Sequence, residues 1–141
     1  MLKKARIRIE STIDNLDSAG LPDGDSEKSV SEAEGTYRFT ADEAVITYKE
    51  IVEGVEISSR IAFIGESVSV KRSGGIESHL LFKEGETTTS LYSIPPYTFD
   101  AEIMAKRVRV DLTADGGTID LLYNMKIGGA EKASRMKIWI L

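Results

Sequence analysis

Ile119-Asp120-Leu121-Leu122-Tyr123-Asn124-Met125-Lys126-Ile127 is the stretch that decides the fold. Every odd position is apolar, whereas Asp120, Asn124 and Lys126 fall on even ones. A period of two marks a β-strand with one face on a core and the other toward water. Asp115-Gly116-Gly117 before it and Gly128-Gly129 after it are hairpin turns, because glycine adopts positive φ without steric cost.

The same pattern recurs on both sides. Toward the C-terminus Met136, Ile138 and Ile140 form an apolar face, and Trp139 and Leu141 make the opposite face apolar too. Another part of the chain or a partner subunit has to cover Trp139, so Trp139 and Leu141 are interface candidates and a homodimer is one expectation. Toward the N-terminus Phe99, Ala101, Ile103 and Ala105 hold odd positions and Val108, Val110 and Leu112 even ones. A phase slip at Lys106-Arg107 predicts a β-bulge. Pro95-Pro96 has no place inside a central strand and predicts a kink or crossover.

Further strands are predicted at Gly35–Thr40, Ala44–Val52, Val55–Ile64, Ser67–Arg72, Ile76–Phe82 and Glu86–Ser93, after a first strand carrying Ala5, Ile7, Ile9, Ser11 and Ile13 on one face. Consecutive hairpins imply up-and-down order, and closure hides the sheet edges. The expectation is an all-β protein, a single antiparallel up-and-down β-barrel of about 8–10 strands in one domain over residues 1–141. Asp14 to Ala33 reads as an acidic flexible loop, since it holds seven acids, counted through Glu34, against Lys28 alone. That local charge of −6 leaves the remainder at +1 of the total −5.

Composition excludes several function classes. With 41% hydrophobic and 29% charged residues the chain is ordinary for a globular domain. No apolar run approaches the roughly 18 residues of a membrane helix, so no membrane partner is expected. Met1 to Arg8 leads into alternation instead of a signal core, which gives a cytoplasmic expectation. The absence of cysteine removes thiol chemistry and Cys-ligated zinc. Lys3, Lys4, Arg6, Arg8, Lys106, Arg107 and Arg109 alternate along strands as a solvated face does, so nucleic acid is not an expected partner. His79 is the sole histidine and reads as a strand surface residue. Asp23, Asp25, Glu27, Ser29, Ser31 and Glu34 match EF-hand spacing, but Lys28 replaces the required glycine and no helices flank them. No metal, cofactor or catalytic set is expected, and the chain does not read as an enzyme.

More informative are charges that alternation places among apolar residues. Glu50 falls in phase with Ala44, Ile46, Tyr48 and Val52, and Arg72 with Val68 and Val70. If both point inside, the cost of burying a lone charge predicts that they lie together and are hydrogen-bonded, with Tyr48 or Tyr92 completing the network.

Tyr48-Lys49-Glu50, then Val70-Lys71-Arg72-Ser73-Gly74, Phe82, Gly85, Tyr92 and the Tyr123 strand resemble the YwiB-like family of bacterial proteins of unknown function. The resemblance runs over most of the chain from Gly35 onward. It departs at Pro95-Pro96-Tyr97, where many members carry glycine. It implies a calycin-type, lipocalin-like barrel with an interior cavity, and no established activity. The functional expectation is therefore a non-enzymatic barrel that binds a small apolar or amphipathic ligand inside, at Tyr48, Glu50, Arg72, Phe82, Tyr92 and Tyr123. The alternative is a structural or protein-interaction module whose barrel is filled by its own side chains and which is homo-oligomeric.

Overall fold

The computed structural model describes residues 2–141, the side chain of Ile94 excepted. Ten strands follow one another: β1 (Leu2–Asn15), β2 (Glu27–Phe39), β3 (Glu43–Val52), β4 (Val55–Ile64), β5 (Ser67–Ser73), β6 (Glu77–Lys83), β7 (Thr87–Ile94), β8 (Tyr97–Thr113), β9 (Gly116–Ile127) and β10 (Ala130–Ile140). Each pairs antiparallel with its successor, and β1 also pairs with β10, which closes an up-and-down barrel.

Alternation sets the inner face. Ile7 faces Ile140 and Ile9 faces Ile138 across the closing seam, and all four are buried. Ile119, Leu121 and Tyr123 of β9 are buried likewise. The lumen at mid-height is filled by side chains: the Phe82 and Tyr123 rings meet edge-on with centroids 4.7 Å apart. The bulge lies where the phase slips, with a register shift between Ala105 and Arg107. It lets Ala105 and Val108 both turn inward from one long strand.

Two expectations need correction. Asp14 to Ala33 is not one loop, because Asp14 and Asn15 pair with β10 and Glu27 to Ala33 pair with β1 as the start of β2. The irregular part spans only residues 16–26. Most of Glu27 to Glu34 is exposed, so the segment lacks the apolar alternation that reveals a strand. Backbone pairing with β1 and the Arg8–Glu32 ion pair, 3.0 Å across paired positions, hold it. Pro95-Pro96 marks neither a kink nor a crossover; its cis peptide bond sits in the hairpin turn between paired Ile94 and Tyr97. A turn position has no ladder N–H for proline to remove.

Two local features shape the barrel wall. Gly35 faces the lumen, and a Cβ there would lie 2.0 Å from the Thr47 carbonyl oxygen and 2.8 Å from Ile7 Cδ1. Only glycine fits so close an approach. Between β6 and β7 just two residue pairs are formed, Glu77 with Ser93 and Ser78 with Tyr92, and beyond them the Thr88 hydroxyl donates to the Leu81 carbonyl at 2.6 Å.

Candidate functional site

An up-and-down barrel sorts its hairpins by parity. The β1–β2 loop and the turns β3–β4, β5–β6, β7–β8 and β9–β10 share one end. Arg72, next to the last residue of β5, therefore lies near that end.

Residues paired across antiparallel strands point to the same face of the sheet. Tyr48 pairs with Ser59, Ser59 with Arg72, Arg72 with Ser78, and Ser78 with Tyr92. Five side chains from β3 to β7 thus form a polar belt on the inner wall. Tyr48, Ser59 and Ser78 are buried, while Arg72 and Tyr92 are half-buried. One step deeper the belt of Ile46, Ile61, Val70 and Leu80, paired in the same way, is buried and entirely apolar. Toward the mouth, Val52, Val55 and Tyr97 continue the inward phase but are exposed, as is Phe99, which pairs with Tyr92 at the level of the belt, and Tyr97 stacks on Phe99 at 6.4 Å.

Chemically the belt is incomplete. The Tyr48 hydroxyl and Ser59 Oγ are buried without a well-formed hydrogen bond, as are Ser90 Oγ on the adjoining β7 and Ser134 Oγ opposite Tyr123; Ser59 and Arg72 approach the Tyr48 hydroxyl, and Ser134 that of Tyr123, at poor hydrogen-bond geometry only. Buried hydroxyls are nearly always satisfied, so four orphans on one barrel need a reason. Burial pushes the Tyr48 phenol above its ordinary range; the positive field of Arg72 opposes this, Glu50 reinforces it, and loose contacts from Ser59 and Arg72 to the hydroxyl oppose it further. Burial raises Tyr123 too, with Ser134 and Arg72 opposing. Arg72 therefore sits electrostatically between the two phenols.

Of the six lumen residues expected from sequence, Phe82 and Tyr123 form the filled centre instead of an open wall. Tyr48, Arg72 and Tyr92 come together in the belt. Glu50 is half-buried on the same face, but it pairs with Ile57, one step nearer the mouth than Arg72. The expected Glu50–Arg72 hydrogen-bonded pair is not formed. The five ion pairs among the described residues are Arg8–Glu10, Arg8–Glu32, Lys49–Glu56, Lys83–Glu86 and Arg135–Asp120. Glu50 on β3 and Arg72 on β5 are separated by β4 and offset by one step along it.

Trp139 is part-exposed, with Arg8 and Lys137 of its own chain 5.9 and 5.0 Å from its ring centroid. Leu141 is exposed, and its backbone exchanges hydrogen bonds with Arg6. Sequence reading missed Ser59, Ser78 and Ser134, although each is a polar residue in the apolar phase of its strand.

Outside the belt, a cleft of about 470 Å³ opens where β2 leaves β3 beyond the Gly35–Tyr48 pair. It touches Tyr48 and Ser59 and is framed by Lys49, Arg60 and Lys71.

Comparison with known proteins agrees with this architecture. A family model described as a domain of unknown function, DUF1934, matches residues 7–140. The crystal structure of the ywiB protein from Bacillus subtilis is similar at 21% sequence identity with a TM-score of 0.80, covering 99% of this chain and 93% of that one. No curated protein matches the chain.

Proposed function

This chain belongs to the DUF1934 family of domains of unknown function, and on that premise we propose that it is a non-enzymatic binding protein whose polar belt receives a small, partly apolar molecule. The observation that carries this reading is the set of orphaned hydroxyls, Tyr48 and Ser59 foremost. Leaving a buried hydroxyl unpaired costs about 1–3 kcal/mol, a cost that a bound polar group removes. Fold likeness is no argument for function; the belt's own chemistry supports it.

A second reading, a structural or interaction module, draws on the filled centre, where Phe82 and Tyr123 leave no lumen running through the barrel. The two readings part experimentally. Native mass spectrometry of protein purified without denaturation is expected to show an added mass that is lost on acid denaturation. The Tyr48→Phe, Ser59→Ala double variant should carry much less of it. Protein that carries no adduct from any expression host, and that is unaffected by the double substitution, would favour the module.

A further inference from the structure

We infer that the molecule is an amphiphile with a compact acidic head, held head-inward at Arg72, a conclusion that rests on the ligand-binding reading. Three layers of the lumen carry it. The base is closed, because Ile46, Ile61, Val70 and Leu80 are buried directly beneath the belt. A ligand group reaching the belt therefore stops there, and the rest of the molecule extends toward the mouth.

The belt itself is rich in donors. Arg72 offers a guanidinium fork with no carboxylate at ion-pair distance among the described residues, and Tyr48, Ser59, Ser78 and Tyr92 add hydroxyls around it. One carboxylate, Glu50, shares the face, one step outward. An arginine fork beside hydroxyl donors matches the planar acceptor set of a carboxylate or the oxygens of a phosphate.

Above the belt the inward positions are apolar apart from Glu50. Val52, Val55 and Tyr97 there, and Phe99 at the level of the belt, are exposed by 45, 46, 65 and 37%. Solvent-facing apolar side chains in lumen phase around a polar floor fit an aliphatic tail leaving the barrel. An ordinary lipocalin-style arrangement, with the tail inside and the head at the mouth, would need the opposite layering.

The test uses the full chain, stripped of bound molecules, and four eight-carbon probes: octanoate, octyl phosphate, octanol and octylamine. Titration calorimetry and ligand-observed NMR should show octanoate or octyl phosphate binding one to one, at least tenfold tighter than octanol or octylamine. Whichever acid binds better identifies the head as carboxylate or phosphate. Arg72→Met should bring the acid down to the octanol level, and Arg72→Lys should lose much of the preference while keeping the charge. Arg135→Met, on the outer face, should change neither. Octanol binding as tightly as the acids would overturn the acidic head and leave the ligand reading intact. Acid binding that survives both Arg72 variants, or no binding by any probe, would overturn the inference, with the adduct experiment deciding the ligand reading separately.

Discussion

Replacing Tyr48 by phenylalanine should make the ligand-free protein more stable, which is the reverse of the usual effect of trimming a buried tyrosine. Tyr48 is 4% exposed and its hydroxyl makes no well-formed hydrogen bond. Removing that oxygen deletes an uncompensated desolvation cost of about 1–3 kcal/mol and leaves ring and volume in place. Loose contacts from Ser59 and Arg72 to the hydroxyl offset part of the cost, so a net gain of about 1 kcal/mol is expected, or roughly 3–4 °C in Tm for a domain of this size. Tyr37 is the internal control. It is 1% exposed and its hydroxyl donates to the Thr113 carbonyl at 2.7 Å. Tyr37→Phe removes the same atom but orphans an acceptor, and should cost about 1–2 kcal/mol. Urea denaturation of both variants, after mass spectrometry confirms that no molecule is bound, should place their midpoints on opposite sides of the wild type with similar m values. A Tyr48→Phe protein destabilised as much as Tyr37→Phe would mean that the hydroxyl is partnered in solution, and the belt would have no unmet donors to offer a ligand.

Four further outcomes follow from the geometry. In a double-mutant cycle, Glu50→Leu and Arg72→Met should show a coupling below about 0.5 kcal/mol, since no ion pair joins them; coupling above about 2 kcal/mol would show that they meet in solution. Gly35→Ala should cost about 2–3 kcal/mol by chemical denaturation, because the new methyl meets backbone at Thr47 and cannot be relieved by a rotamer change. Asp120 is held below the usual carboxylate range, first by its hydrogen bond from Arg135. Its contribution is therefore present above the unfolded pKa and lost as pH falls through the lowered folded value. Asp120→Asn should flatten the acid limb of a stability-against-pH curve at and below about pH 4, by a small amount because Arg135 is largely solvated. Limited proteolysis should cut first within residues 16–26, where an acidic, glycine-containing connection has little apolar surface to order it; first cleavage elsewhere would contradict this.

Most of the architecture is legible as alternation because the core lies on one side of every strand. Ile119 to Ile127 and Val55 to Ile64 declare their inner faces directly, and even the bulge shows as a change of phase after Ala105. The reading fails at β2, where Glu27 to Glu34 is strand by virtue of backbone pairing with β1 and carries no half-buried apolar face to betray it. It fails again at Glu50 and Arg72. Alternation assigns each to the lumen but says nothing of which strands neighbour one another or of their register, so it does not show that β4 and a one-step offset lie between the two charges. The serines of the belt were visible as polar residues among apolar ones, yet their meaning emerges only when cross-strand pairing lines Ser59 and Ser78 up with Arg72.

The short ladder between β6 and β7 has a dynamic consequence. A strand ring joined end to end has no frayed terminus, so the cheapest way to open it is through its weakest joint. Two residue pairs hold β6 to β7, against five between β2 and β3 and twelve between β1 and β2. Sub-global opening at that joint leaves the remaining nine interfaces intact, and its free energy is set locally instead of by the whole domain. Amides of that two-pair ladder, at Glu77, Ser78, Tyr92 and Ser93, should therefore exchange faster than those of Ile7 to Ile9 and Ile119 to Leu121. Because Ser78 and Tyr92 form one of those two pairs, the place where the wall parts most easily adjoins the belt.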